Sequence, residues 1–516
     1  MIPYIPYILF LAFCLLASWN GVRRFLHVLQ LNSYKPSTQL RWMKTHRERL
    51  LCCVPALCAV VFACFDALWA QIVCVVFTAL AALTLRPKKA KKPLVWTARA
   101  KRLAAANGLL FLLLAAVGLL CGGAWRFLLP ALFPAFSPLW MLLANLLCAP
   151  VEKAVRQWYI DDAVRKLRAC PDLDVFGITG SYGKTSVKSY LGQLLSSKYD
   201  TLITPESYNT PMGVVRTVRE RLKATHRIFV CEMGARNVGD IKELCDLVHP
   251  RCGLITAVGN QHLETFRTPE NILKTKFELA DALPADGLLF LNADSAPIRV
   301  HLPALDRPYI TYGTTPDCDF YASDVSLSQS GTSFVLHTKD GNAYPFRMKL
   351  IGTHSVLNVT GALAVCLTFG ISPALLAPAV RRLEAVPHRM QLLPGAITYI
   401  DDAYNSNPAG CKAALETLSM FDACRILVTP GMVELGDDME KCNREFGLQA
   451  SKVCDEVYLV GEAQAVPIRA GLLDGNFPES KIHITHTLPD ALSALRALKT
   501  EKPKIVLLEN DLPDNY

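Results

Sequence analysis

The stretch Val175-Phe-Gly-Ile-Thr-Gly-Ser-Tyr-Gly-Lys-Thr-Ser-Val-Lys-Ser-Tyr-Leu191 decides the reading of this chain. Five apolar or β-prone residues run into a glycine-rich turn, and the turn runs into a helical pattern beginning at Lys184. The general phosphate loop, G-x-x-x-x-G-K-[ST], requires its first glycine six residues before the lysine. That position is Ile178, and the glycines stand instead at 177, 180 and 183. The physical requirement is nevertheless met. Backbone N–H groups in such a turn and the positive end of the following helix dipole converge on one point, where a phosphate is stabilised. Gly180, Ser181, Gly183, Lys184, Thr185 and Ser186 are therefore the candidate nucleotide residues. Lys184 can reach terminal phosphates and Thr185 can hold Mg²⁺. A strand–turn–helix with a chance Gly-Lys-Thr is the plain alternative.

Outward from this loop, short apolar runs alternate with helical stretches. The runs 174–179, 227–233, 252–259 and 287–294 read as buried strands, with helices over 185–198 and 269–282. This alternation predicts a parallel sheet covered on both faces by helices. Ligands of such sheets bind beyond the carboxyl ends of the strands. The loop Gly180–Thr185, Glu232, His262 with Glu264, and Asp294 all stand at those ends. A carboxylate and an imidazole near Thr185 suit a divalent cation. From spacing alone Lys276 reads as a helix-surface lysine, Asn358 carries little meaning, and Asp401–Pro408 reads as a polar turn capping a helix. Residues 311–350 read as a small antiparallel insertion. Five further strands, in the runs 396–404, 425–431, 456–461, 481–487 and 504–510, predict a second, smaller Rossmann-like α/β domain. The turn Glu384–Arg389 and a helical region over 354–384 connect the two.

The first 150 residues are of another kind. They hold 16 Lys/Arg against two acids, Glu48 and Asp66, a net of about +14, while the rest of the chain is at about −5. Apolar runs at 3–19, 51–85, 103–123 and 127–150 alternate with basic loops at 23–49 and 86–102. The 35-residue run around Asp66 is too long for one span of ~20 residues, so it predicts a hairpin of two. About five spans result, with four spans and a re-entrant piece as the competing count. The basic loops face the cytoplasm by the positive-inside rule, which leaves the N-terminus outside and everything after Val151 inside. The charge thus reads as membrane-flanking, not as a nucleic-acid footprint. Eighteen cysteines, eight of them in the first 150 residues and none in paired C-x-x-C motifs, suit a reducing compartment and argue against a structural zinc.

The motifs GITGSYGKTS, SYNTPMGV, EMGARNVGDI, HLETF, KTKFELA, HSVLNVTGALA, DDAYNSNP and GMVELGD, in this order over about 174–465, resemble those of the Mur ligase family, in particular its D-alanyl-D-alanine-adding branch. These are ATP-dependent amide ligases of peptidoglycan precursor synthesis. The resemblance implies a central P-loop ATPase domain over 174–386 and a C-terminal α/β domain over 387–516, behind a transmembrane region (1–150) and a linker (151–173). It implies ATP and Mg²⁺ as cofactors. Lys184, His262 and Lys276 would be catalytic; Thr185, Glu232, His262 and a carbamylated Lys276 would serve the metal; Asn358 and Arg389 would contact the nucleotide. Asn209, Thr210, Asp402, Tyr404 and Asn405 would serve the substrate. The implied partners are a muramyl-peptide or other carboxylate acceptor, UDP-linked or lipid-linked, an amino-acid or dipeptide amine, and membrane lipid, with no nucleic acid. The implied location is the bacterial plasma membrane, multi-pass, with cytoplasmic catalytic domains. Three departures stand out. Membrane spans occupy the place of the family's UDP-gripping domain, the chain ends in LLENDLPDNY without the usual Lys-Gly-Ser-Arg turn, and Ser355 replaces an Asn. A polyglutamate-type ligase and a non-catalytic nucleotide-binding scaffold are the alternatives.

Overall fold

The computed structural model describes residues 5–88, 93–259, 263–328, 330–404, 407–433, 435, 438–462 and 464–511. By packing, the chain falls into two compact units, Met1–Trp158 and Tyr159–Tyr516.

The first unit is helical. Helices α1 (Ile5–Leu31), α2 (Pro36–Thr45), α3 (Val54–Ala63), α4 (Leu68–Thr84), α5 (Ala98–Cys121), α6 (Trp125–Ala135) and α7 (Ser137–Arg168) follow in order. Among the described residues α1, α5 and α7 are long and apolar enough to cross a membrane. The run over 51–85 does fold back at Asp66, but into helices of 10 and 17 residues. The proline-rich run over 127–150 breaks at Phe136, between α6 and α7. Helix α1 continues past the expected span, through Gly21, Arg23 and Arg24, and ends at Leu31. Residues 151–168, expected as linker, are the last turns of α7. The interior is aliphatic and aromatic, with Phe10, Phe25, Phe111, Phe127 and Phe133 at its centre. Arg102 grips Glu152 through Nε and Nη2 at 2.7 and 2.9 Å. The guanidinium of Arg99 lies over the Tyr34 ring.

The second unit holds two sheets. Strands β1 (Asp174–Thr179), β2 (Thr201–Ile203), β3 (Ile228–Glu232), β4 (Cys252–Ile255), β5 (Leu288–Asn292) and β6 (Ile310–Gly313) pair in parallel. Strands β7 (Phe320–Ser328), β8 (Gly331–Thr338) and β9 (Ala343–Met348) form an antiparallel meander. The sheet order is β2-β3-β1-β4-β5-β6-β7-β8-β9. The meander expected as an insertion therefore extends the sheet, because β7 pairs with β6 at Tyr312–Gly313. Strands β1, β3 and β4 are almost wholly buried, as strands covered on both faces must be. One face packs on the helices Lys184–Leu195 (α8) and Thr353–Thr368. The other packs on Pro211–Arg221, Asp240–Val248 and Pro269–Ala282. The chain leaves β1 toward β2 and β3 on one side and β4 on the other. The switch point of the sheet is thus the carboxyl end of β1, the position at which sheets of this kind bind their ligands.

The second sheet has the order β10-β11-β15-β12-β13-β14. Its strands are β10 (Gln391–Leu393), β11 (Thr398–Asp402), β12 (Cys424–Thr429), β13 (Glu456–Val460), β14 (Ile482–Thr485) and β15 (Lys504–Glu509). Five match the expected set. The three-residue β10 was not expected; it runs antiparallel to β11 at the edge.

Candidate active site

The loop after β1 is shaped by glycine where the backbone demands it. Gly183 has φ +80°, and a Cβ there would come 2.8 Å from Asn358 Oδ1. Gly180 has φ +146°, and a Cβ there would collide with Thr256 Oγ1. Ser181 pins the loop to the segment after β4: its N–H donates to Ala257 O, and its hydroxyl donates to Gly259 O at 3.0 Å. The Ser181 side chain thus sets loop shape. Helix α8 starts at Lys184, so its unpaired N–H groups open toward the loop. Lys184 Nζ folds back over the turn and donates to Gly180 O at 2.8 Å and Ser181 O at 3.1 Å. Burial pushes its pKa down to about 8, against the pull of Glu232.

Strand register delivers the acid. Ile178 pairs with Glu232, so the last residue of β3 stands beside the start of the loop. Glu232 is buried. Its Oε1 accepts from Thr185 Oγ1 at 3.1 Å and from Asn209 Nδ2 at 3.1 Å. Its Oε2 lies 3.0 Å from Lys188 Nζ. These partners offset the cost of burying the carboxylate. The hydroxyl of Thr185 and the carboxylate of Glu232 are hard oxygen donors side by side, a set that fits Mg²⁺. Together with the glycine-shaped loop, they fit a magnesium–nucleotide pair.

Lys276 is not a surface residue. It is buried on the inner face of the helix Pro269–Ala282 with Ile272, Thr275 and Leu279. Burial first, then the charge of Lys184, pulls its pKa down to about 7. A lysine so placed is part-neutral near physiological pH and can act as a nucleophile toward CO₂. Its ammonium lies 5.8 Å from the Phe266 ring centre.

Arg389 comes from the connection between the sheets. Its Nη2 donates to Thr185 Oγ1 at 3.4 Å, and its guanidinium stacks 4.2 Å over the Tyr404 ring. Both neighbours of Arg389 are left-handed, His388 at φ +60° and Met390 at φ +47°. Such backbone is costly for non-glycine residues and recurs at switch segments and active sites. His388 Nδ1 lies 2.8 Å from Asp401 Oδ2. Met390 N–H donates to Asp402 Oδ1 at 3.1 Å. Burial raises the Asp402 pKa to about 6, opposed by that N–H and by Arg389.

Thr185, Lys184, Glu232, Asn209, Asn358 and Arg389 are therefore brought together, with Lys276 within electrostatic reach of Lys184. Ser186 is buried beside the Tyr190 hydroxyl. Thr210 is an exposed helix cap that accepts from Gly213 N–H. Asp294 is taken up by Thr314, whose N–H and hydroxyl it accepts. His262 and Asn405 lie outside the described residues, and the side chain of Glu264 does too. Among the described residues no group of three His, Cys, Asp or Glu side chains is arranged as a metal site. Sequence reasoning missed Lys188, Thr256 and His388. Lys188 could have been found: it falls one helical turn after Lys184 and three residues before Leu191, on the stripe that faces the sheet.

Two family models match, the Mur ligase middle domain over residues 178–366 and the Mur ligase glutamate ligase domain over 388–509. The chain is 31% identical over 332 residues to the UDP-N-acetylmuramoyl-tripeptide–D-alanyl-D-alanine ligase of Bacillus subtilis, covering 62% of this chain and 70% of the relative. Its fold is similar to MurF from Acinetobacter baumannii, with a TM-score of 0.62 and 26% identity over 69% of this chain and 77% of that one. It is equally similar to the MurF ligase of Thermotoga maritima in complex with ADP, with a TM-score of 0.62 and 26% identity over 69% of this chain and 80% of that one. Both family models match residues beyond the helical unit. With the loop, the Thr185–Glu232 pair and Arg389 in mutual contact at the end of β1, the chain belongs to the Mur ligase family and is an ATP- and Mg²⁺-dependent, ADP-forming ligase.

Proposed function

We propose that the chain is a membrane-anchored ligase of peptidoglycan precursor synthesis that joins D-alanyl-D-alanine to a muramyl tripeptide. The observation that carries this reading is the convergence of Lys184, Thr185, Glu232 and Arg389 at the switch point of the sheet, in a chain whose relatives bear that activity in their names. We assign the membrane region to 1–150, the connection to 151–173, the nucleotide domain to 174–386 and the amine-binding domain to 387–516.

Bound ATP supplies the phosphoryl group that turns the acceptor carboxylate into an acyl phosphate, and Mg²⁺ offsets its charge. Thr185 and Glu232 would hold the metal, with His262 and a carbamylated Lys276 completing the set. Lys184 lies over the loop where terminal phosphates bind, and its positive charge stabilises the negative charge that shifts between oxygens during transfer. Asn358 and Arg389 bear on the nucleotide from two elements. The Arg389–Tyr404 stack and the Asp401–His388 pair tie the second sheet to this site, which favours closure of the amine-binding domain and exclusion of water from the activated carboxyl. The amine then attacks the carbonyl carbon, and phosphate leaves.

Anchoring is supported by α1, α5 and α7 and by the basic loops that flank them. Residues 151–173 are too few for a UDP-gripping domain, which favours an acceptor delivered at the membrane on a lipid. The test is phosphate release by the detergent-solubilised full chain with D-alanyl-D-alanine and with glutamate, against UDP-linked and lipid-linked muramyl tripeptides. Release that needs both D-alanyl-D-alanine and a muramyl tripeptide supports the assignment, and faster release with the lipid-linked form supports membrane delivery. Stimulation by glutamate alone overturns it in favour of another polymer.

A further inference from the structure

Lys188 has no part in the chemistry described so far, yet it is among the largest fully buried side chains of the molecule. It sits on α8 one turn beyond Lys184, on the face turned to the sheet. Burial pulls its pKa down and Glu232 opposes that pull. Its ammonium makes two contacts of different kinds. One is the 3.0 Å ion pair with Glu232 Oε2. The other is a short hydrogen bond to the carbonyl of Glu206, a residue held in the left-handed region at φ +44°. Glu206 belongs to the turn Pro205–Tyr208, directly before Asn209, and Asn209 in turn donates to the other oxygen of Glu232. Asn209 O also accepts from Gly234 N–H at 2.8 Å, which closes the loop onto the end of β3.

We propose that Lys188 is a positioning residue that couples the metal carboxylate to the loop Thr204–Thr210. A carboxylate has two equivalent oxygens and a free rotor. Here Lys188 engages Oε2, so Oε1 is the oxygen presented to Thr185 and to the metal position. The same ammonium holds the Glu206 carbonyl, so the loop that carries Asn209 and Thr210 is fixed to the helix that opens the phosphate loop. A nucleotide-bound metal that draws on Glu232 therefore stiffens the loop, and a loose loop weakens the metal.

The experiment uses the full chain in detergent. Binding of a fluorescent ADP analogue is titrated with Mg²⁺ in wild type, Lys188→Met, Lys188→Gln and Lys188→Arg, with thermal unfolding as a check on folding. In wild type, hydrogen exchange of amides 204–210 is followed with and without Mg²⁺–ADP. The expected results are at least a tenfold rise in the Mg²⁺ needed for half-maximal binding in Lys188→Met, partial recovery in Lys188→Arg, and slowed exchange of 204–210 in wild type when Mg²⁺–ADP is added. An unchanged Mg²⁺ requirement in a folded Lys188→Met or Lys188→Gln protein overturns the proposal. So does wild-type exchange over 204–210 that ignores Mg²⁺–ADP, a result that needs no variant to fold.

Discussion

Arg389 Nη2 donates to Thr185 Oγ1 across 204 residues of sequence. The hydroxyl that begins α8 is thereby linked to the segment that begins the second sheet. The same hydroxyl donates to Glu232, so the contact joins the candidate metal pair to the domain connection. Arg389→Ala should cost about ten- to a hundredfold in kcat/KM, the range expected for loss of a hydrogen bond to a charged group at ~1.5–3 kcal/mol. Arg389→Lys should recover little, since a lysine cannot both stack on Tyr404 and reach Thr185. Steady-state phosphate release checks both.

Gly183→Ala should abolish nucleotide binding while the protein still folds. Its φ of +80° costs an alanine about 1 kcal/mol, and the new methyl would press on the Asn358 amide. Fluorescence binding of ADP, with a thermal melt beside it, separates loss of the site from loss of the fold.

Lys276→Ala should be inactive, because a buried amine with a pKa near 7 is replaced by a methyl. If the lysine works as its carbamate, wild-type activity should fall in CO₂-depleted buffer and return with bicarbonate. Acetate or a similar small carboxylate should partly restore the alanine variant. Activity indifferent to both additions would leave the lysine as a simple cation.

Asp402 gives a pH dependence with a definite sign. Burial raises its folded pKa to about 6, above the ordinary carboxyl value of 3.8. Between those values the folded chain binds more protons than the unfolded one, so stability falls as pH rises through roughly 4 to 6 and is level above. The cost of ionisation is on the order of 3 kcal/mol. Asp402→Asn should flatten this slope in urea titrations at pH 4–7. A slope unchanged in the variant would assign it to another carboxyl.

Much of the site was legible because it is local. Strand, turn, helix and Gly-Lys-Thr lie within 17 consecutive residues, and the sheet pairs them as the alternation implied. Glu232 was readable as a strand-end acid for the same reason. What escaped depended on tertiary register. The residues 311–350 gave strand signals, but only the pairing of Tyr312 with Phe320 shows that they extend the sheet. Lys276 and Lys188 were misjudged or passed over because lysines are ordinarily solvated. Their positions told otherwise: Lys276 stands four residues after Ile272 and three before Leu279, on the buried stripe. The left-handed His388 and Met390 carry no sequence mark, since neither is glycine or asparagine.

The central claim is that this site activates a carboxylate through its own oxygen. The most direct measurement supplies a muramyl tripeptide labelled with ¹⁸O in the reacting carboxyl, together with ATP, Mg²⁺ and D-alanyl-D-alanine, to the detergent-solubilised chain. Transfer of one labelled oxygen into each phosphate released, with one ADP formed per amide, is the expected result, and Lys184→Ala should release none. Phosphate free of label, or ATP turnover that ignores both acceptor and amine, would contradict it.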